Sequence, residues 1–347
     1  MWARRARPIE VVVVTDAGPD PDDVKALLVL AMAHRSGRIR LVAVIANGGG
    51  QPARRAQLVR LILDRIGEPA VPVGIGSLGV ALAEQPHECA LRGYAAVDSS
   101  RLLDGKALIS RTLARAAPRS VVVLLISGLR DFADVVLAQP RLVQRTVSAV
   151  AIQGGLIPDA AAPFGYAPDT SQNNAFDPAA AAVVYGFCFA QGIRMSVVSR
   201  DAVPVRCARA LHGNVRARGA HAFAHPLIPP HRPAGHLARS VRACACMRRP
   251  TRCGAQLLPM QLARSFAVRT KSEVLRYLAN AQFLGLAGLW KKLCAGQLPA
   301  RCDKAWYFAT FCGVDGAEFE RRALCELDEG ADVLGYLNGF VKPYDGA

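Results

Sequence analysis

The chain lacks long hydrophobic runs and is poor in aromatic residues, which make up 6% of its 347 residues. A membrane-spanning helix needs about 18 or more apolar residues in succession, so the sequence predicts no membrane association. The basic start, residues 1–7, is followed only by a short apolar stretch, which is typical of a first strand rather than of a secretion signal. We therefore expect a cytoplasmic protein.

Acidic residues are scarce, with 27 Asp and Glu against 43 Lys and Arg, but most of the imbalance comes from one segment. Val205–Leu257 contains ten arginines and no Asp, Glu or Lys, and thus 10 of the 16 net positive charges. Its cysteines lack the paired CxxC spacing of a zinc site, and Phe223 is its only aromatic residue for stacking on bases. We expect no nucleic-acid partner, and predict a disordered insertion in one domain built from residues 1–204 and 258–347.

Apolar strands alternate with amphipathic helices over the first two hundred residues. The predicted strands are Ile9–Val14, Leu41–Ala46, Val71–Ile75, Ser120–Ile126, Val147–Ile152 and Ile193–Val198. The predicted helices between them are Asp23–His34, Ala53–Ile66, Asp131–Leu137 and Pro178–Phe189. Continuous apolar strands are typical of a parallel sheet buried on both faces. We expect an α/β fold with a doubly wound, mostly parallel, Rossmann-like sheet, and a mainly helical C-terminal part from Met260 onward.

An aspartate-rich turn follows the valines of the first strand, with Asp16, Asp20, Asp22 and Asp23 within eight residues. A helix start explains part of it, because Asp20 suits the N-cap position and acidic residues favour the first helical turn. It does not explain Asp16, which precedes a glycine turn. Crowded carboxylates repel one another and a divalent cation relieves the repulsion, so capping combined with an oxygen-ligand metal site is our preferred interpretation.

Glycine and polar residues follow four further strands, as in Asn47-Gly48-Gly49-Gly50 and Ser127-Gly128. In open α/β sheets, ligands bind at this carboxyl edge. The glycine run fits neither dinucleotide nor P-loop phosphate motifs. A second polar stretch, residues 169–174, includes Gln172 and Asn174. These side chains suit sugar hydroxyls, although such a stretch is also typical of an ordinary loop.

In order along the chain, these motifs resemble those of the calcium-dependent, inosine-uridine preferring nucleoside hydrolases. One branch of that family has D-x-G-x-D-P-D-D after the first strand, as residues 16–23 read here. The weaker matches are Asn47-Gly48-Gly49, Val71-Pro72-Val73-Gly74, Ser127-Gly128-Leu129-Arg130-Asp131, Ile152-Gln153-Gly154-Gly155, Gln172-Asn173-Asn174 with Asp177-Pro178, and Tyr344-Asp345. The resemblance covers the chain apart from Val205–Leu257.

The resemblance implies a calcium ion held by Asp16, Asp23, Asp345 and the backbone carbonyl of Arg130. Asp16 would also be the base that orients or deprotonates the attacking water. The reaction would be hydrolysis of the N-glycosidic bond of a ribonucleoside, as in purine and pyrimidine salvage. Relatives commonly form dimers or tetramers, so a homo-oligomer is expected.

The resemblance also implies contacts to the substrate. Asp22 and Asn47 would hold the ribose hydroxyls, and Gln172 and Asn174 would reach its 5′ side. Negative groups around the sugar suit an oxocarbenium-like transition state.

Two departures from the family pattern favour an alternative, a relative that binds a ligand or partner without turnover. Tyr344 replaces the usual histidine before the last aspartate, and the sequence stops two residues after Asp345. A metal-ligating residue near a frayed chain end must become ordered when it binds the metal, and this costs conformational entropy. A haloacid-dehalogenase-like phosphatase, a further alternative, needs a second aspartate that Asp16-Ala17-Gly18-Pro19 lacks.

Overall fold

The computed structural model describes residues 8–18, 21–79, 91–199, 272–298, 302–312, 314 and 316–331. The predicted insertion, Val205–Leu257, lies outside these residues, as do Asp20, Tyr344 and Asp345.

A seven-stranded parallel sheet forms the centre of the fold. Its strands are β1 Ile9–Thr15, β2 Ile39–Ala46, β3 Val73–Ile75, β4 Leu102–Asp104, β5 Val121–Leu125, β6 Val147–Gln153 and β9 Arg194–Val198. They lie in the order β4-β3-β2-β1-β5-β6-β9. A small antiparallel hairpin joins β7 Leu156–Pro158 to β8 Tyr166–Pro168. The doubly wound Rossmann-like fold class predicted from the sequence is confirmed.

Helices cover both faces of the sheet. They are α1 Pro21–Arg35, α2 Pro52–Arg65, α3 Gly105–Arg115, α4 Arg130–Ala138, α5 Pro140–Thr146, α6 Gln172–Ala175, α7 Pro178–Ala190, α8 Glu273–Cys294, α9 Lys304–Cys312 and α10 Gly316–Arg321. Short 3-10 turns lie at Tyr94–Ala96, Ser99–Arg101 and Leu324–Glu326. The six predicted strands and four predicted helices are present, with ends shifted by at most two residues.

The valine run of β1 is continuous because both faces of this central strand are buried. Val12 and Val14 pack with α3, α4 and α7 in one core cluster. Val11 and Val13 pack with α1, α2 and α8 in the cluster on the other face. Alternate side chains of a strand point to opposite faces, so a strand covered on both sides is apolar at every position.

The order of strands reverses at β1, which pairs with β2 on one side and with β5 on the other. In doubly wound folds this topological switch point opens a crevice beyond the carboxyl ends of the two central strands. The residues that follow β1 and β5 therefore face a shared crevice.

The described C-terminal part is helical, as predicted. In its core, Trp290 of α8 stacks edge-on against Tyr307 of α9, with ring centroids 5.2 Å apart. The Trp290 indole also donates a hydrogen bond to the backbone carbonyl of Asp328. Among the helices in the described part of the chain, none combines the length and apolar character that a bilayer crossing requires.

Candidate active site

Asp16 and Asp23 meet at the junction between β1 and α1. Asp23 lies in the first helical turn and is only 6% exposed. Its carboxylate accepts hydrogen bonds from the Thr15 hydroxyl and from the Asp16 backbone N–H. These bonds orient Asp23 toward the end of the strand, beside the carboxylate of Asp16.

Burial raises the pKa of Asp23 well above its ordinary value, and the negative charges of Asp16 and Asp22 raise it further. Hydrogen bonds from Thr15 and Asp16 act in the opposite direction without cancelling these effects. The surroundings of Asp23 therefore disfavour the charged form of its carboxyl group.

Asp22 is exposed at the mouth of the same junction. Its Oδ2 lies 3.3 Å from the side-chain nitrogen of Gln153, at the end of β6. This contact spans the crevice from the start of α1 to the far side of the switch point. An exposed carboxylate here is accessible to the hydroxyl groups of a bound sugar.

Arg55 of α2 is a site residue that the sequence reasoning missed. It is 6% exposed, and its Nη1 lies 3.7 Å from Asp16 Oδ2 and donates to the Asn47 carbonyl at 3.1 Å. The guanidinium packs directly on the glycine loop after β2, where added β-carbons at Gly48 and Gly49 would lie 2.8 and 2.9 Å from its nitrogens. An arginine on the otherwise apolar stripe of an amphipathic helix was the available signal.

Asn47 is 1% exposed, and its side-chain amide is fully engaged with the protein. Its Nδ2 donates to the Gly128 carbonyl and to Asp131 Oδ2, at 2.9 and 2.8 Å. Its Oδ1 accepts from the Ser127 hydroxyl at 2.7 Å. These bonds join the loops after β2 and β5, and a ribose contact by Asn47 stays a prediction.

Asp131 is a second residue of the site, to which the sequence analysis gave no role beyond its place in a weak motif. It is 4% exposed and accepts three hydrogen bonds, from Asn47 and from the backbone and hydroxyl of Ser77. The carboxylate thus joins the ends of β2 and β3 to the start of α4. It fixes the loops around the crevice.

Arg130 is the first residue of α4, and its guanidinium turns to Asp134 and Asp177 on the surface. Carbonyl groups inside a helix point toward its C-terminal end and accept the helix's own hydrogen bonds. The role of the Arg130 carbonyl as a metal ligand stays a prediction.

The polar stretch before α7 contains Gln172, Asn173 and Asn174. Gln172 is exposed, and Asn174 is 1% exposed with its Nδ2 donating to Asp169 Oδ1 at 2.9 Å. Asn173 donates to the carbonyls of Ile126 and Gln153, at 3.1 and 3.0 Å. Asn173 therefore joins the carboxyl ends of β5 and β6, while substrate contacts by Gln172 and Asn174 stay predictions.

The donor chemistry of the junction fits a hard divalent cation. Carboxylate oxygens are preferred ligands of Ca²⁺, and the pKa of Asp23 is raised first by burial and then by the negative charges of Asp16 and Asp22. Within the described ranges, no group of three or more His, Cys, Asp or Glu side chains is arranged to hold a metal. A complete ligand set would need Asp345, which lies outside those ranges.

Similarity to known proteins supports the family resemblance only in part. No protein-family model matches the chain. An inosine-uridine preferring nucleoside hydrolase from Leishmania major is 28% identical over 185 residues, which cover 50% of this chain and 56% of that protein. This chain is a weak homologue of a nucleoside hydrolase. It spans about half the length of that curated relative.

Two solved structures resemble this chain in fold. The type III effector protein XopQ, complexed with adenosine diphosphate ribose, superposes with a TM-score of 0.62 at 22% identity, covering 92% of this chain and 77% of its own. The effector protein XOO4466 gives a TM-score of 0.62 at 21% identity, covering 95% and 80%. At these identities the likeness concerns the fold.

Proposed function

We propose that this chain is a nucleoside N-ribohydrolase that cleaves ribonucleosides to free base and ribose. The observation that carries the proposal is the group of carboxylates Asp16, Asp22 and Asp23 at the switch point, with Asp23 buried among negative charges. The weak homology to a nucleoside hydrolase supports it.

In the proposed mechanism, Asp16 orients the attacking water and takes its proton. Asp22 holds ribose hydroxyls at the mouth of the crevice, and Asn47, Gln172 and Asn174 are the further candidate substrate contacts. Carboxylates around the sugar stabilise the positive charge that develops as the N-glycosidic bond breaks.

We further propose that Asp16, Asp23, Asp345 and the Arg130 carbonyl hold a calcium ion. When bound, the ion would position the attacking water and lower its pKa. The same proposal includes a preference for inosine and uridine, a role in purine and pyrimidine salvage, a cytoplasmic location and a homo-oligomeric state. It also includes the view of Val205–Leu257 as an insertion in one domain.

The test is release of free ribose from inosine, uridine, adenosine and cytidine, with calcium and then with excess chelator. We expect chelator-sensitive release, and a loss of about 10²- to 10⁴-fold in Asp16→Asn, because that variant removes the base. Asp134→Asn is the matched control, since Asp134 lies on the outer surface of α4 and pairs with Arg130 and Lys106. Chelator-resistant turnover would contradict the calcium proposal, and turnover that survives in Asp16→Asn would contradict the assigned base.

The second candidate is a protein that binds a ribosyl nucleotide without turnover. The buried Arg55, 3.7 Å from Asp16, favours it because a guanidinium in an otherwise acidic crevice suits a phosphate-bearing ligand. XopQ, of the same fold, was solved with adenosine diphosphate ribose. Calorimetric binding of adenosine diphosphate ribose, with no ribose released from any nucleoside, would favour this candidate over the hydrolase.

A further inference from the structure

A cavity of about 300 Å³ opens at the amino edge of the sheet, opposite the crevice that contains the carboxylates. It lies between the first residues of β1 and β2 and the second half of α3. Its volume is at the lower end of the range of small-molecule sites. None of the residues that line it takes part in the proposed hydrolysis.

Among the described residues, three arginines and one glutamate line this cavity: Arg40, Arg111, Arg115 and Glu10. Arg40 and Glu10 are register partners on β2 and β1 and form an ion pair across the strands. Within the part of the chain that the structure describes, Arg111 and Arg115 form no ion pair. The described residues that line the cavity therefore carry an excess of two positive charges.

Arg111 and Arg115 are four residues apart on α3, so they lie one above the other on one side of the helix. Like charges at this spacing destabilise an isolated helix. A bound anion removes that repulsion, and the planar guanidinium group forms paired hydrogen bonds with phosphate oxygens.

The remaining wall is mainly apolar and is formed by Val42, Pro72, Leu103 and Leu108. Leu108 is 5% exposed and belongs to the core cluster on this face of the sheet. A simple inorganic anion would leave this wall in contact with water. A ligand with a flat, weakly polar body would cover it while its anionic group contacts the arginines.

We propose that this cavity binds a small organic phosphate about the size of a nucleoside monophosphate. The phosphate contacts Arg40, Arg111 and Arg115, and the rest of the ligand packs on the apolar wall. The site is separate from the candidate active site, so the proposal does not depend on the proposed hydrolysis.

Calorimetric titration of the full chain with AMP, inorganic pyrophosphate and adenosine tests the proposal. AMP should bind most tightly, and its affinity should fall between about 50 mM and 300 mM salt because ions screen charge pairs at the surface. Pyrophosphate that binds as tightly as AMP would contradict the role of the apolar wall. No binding of AMP would overturn the proposal.

Variants then locate the binding site. The double variant Arg111→Ala, Arg115→Ala should weaken AMP binding by about tenfold or more, the effect of losing charge-assisted hydrogen bonds. Arg141→Ala, an exposed arginine on α5 outside the cavity, is the control and should have no effect. Circular dichroism checks that each variant is folded.

Two further variants test the charge of the cavity and its separation from the candidate active site. Glu10→Gln should tighten AMP binding by about two- to fivefold, because it removes the one carboxylate among the described lining residues and frees Arg40 from its ion pair. Asp16→Asn should leave AMP binding unchanged. AMP binding that persists in the double arginine variant, or that is lost in Asp16→Asn, would overturn the proposed location.

Discussion

Replacing Asp131 by asparagine tests whether this buried carboxylate holds the loops around the crevice together. Asp131 Oδ1 accepts from the Ser77 backbone N–H at 2.8 Å. Its Oδ2 accepts from the Ser77 hydroxyl at 3.0 Å and from Asn47 Nδ2 at 2.8 Å. A carboxylate accepts at both oxygens, whereas an asparagine of the same shape accepts at one and donates at the other.

Neither orientation of the new amide satisfies all three donors. If the NH₂ group of the new asparagine takes the Oδ2 position, the Ser77 hydroxyl can rotate and accept a hydrogen bond from it. The Asn47 amide NH₂ group then faces another donor. In the opposite orientation the NH₂ group faces the Ser77 backbone N–H. Rotating the Asn47 amide as well would set its oxygen against the Gly128 carbonyl, at the present distance of 2.9 Å.

Asp131→Asn therefore leaves at least one buried polar group unpaired, which costs about 1–3 kcal/mol. The variant no longer buries a charged group, which offsets part of that cost. We therefore expect the free energy of unfolding to fall by an amount toward the lower end of that range. Urea unfolding followed by circular dichroism measures this free energy. The slope of the free energy against urea concentration should be the same in the variant and in the unmodified protein.

Asp134→Asn is the matched control for this prediction. Asp134 lies on the same helix, but its partners Arg130 and Lys106 are more than half exposed. Exposed ion pairs contribute about 0–1 kcal/mol. Equal losses in the two variants, or an unchanged stability in Asp131→Asn, would refute the reasoning.

Two further predictions concern the glycine loop and a buried thiol. Gly49→Ala should destabilise the protein by more than Gly37→Ala. Both glycines have positive φ, at +59° and +67°, so left-handed strain costs about 1–2 kcal/mol in each variant. Only the new β-carbon at position 49 meets Arg55, and equal losses of stability in thermal unfolding would contradict that contact. Burial raises the pKa of the Cys188 thiol to about 12. Iodoacetamide at pH 8.5 should therefore modify the exposed Cys325 in the folded protein and Cys188 only after unfolding, as followed by peptide mass spectrometry.

The central strands were predictable because their burial is visible in consecutive residues. No residue of Val11–Val14 is polar, and such a run is typical of a strand that is covered on both faces. β4, in contrast, is a three-residue edge strand, and α3 follows it at once. Three residues cannot show a strand periodicity, so this edge of the sheet has no separate signal in the sequence.

The candidate site was predictable where it depends on one turn. Asp16, Asp22 and Asp23 lie within eight residues, and the junction of strand and helix alone brings them together. Arg55 and Asp131 were missed because each acts through a partner on another element. An arginine in α2 indicates nothing about Asp16 until β1 and β2 pair and the glycine loop passes beneath its guanidinium.

The sequence by itself determined the parallel α/β architecture and the acidic junction after β1, because hydrophobic periodicity and turn chemistry depend on neighbouring residues. Only the tertiary structure decided which polar side chains close the crevice. Asn47 and Asp131 are 84 residues apart, and Ser77 and Asp131 are 54 apart. Such contacts follow from strand order and helix packing, which bring distant residues within hydrogen-bonding distance and leave no local pattern in the chain.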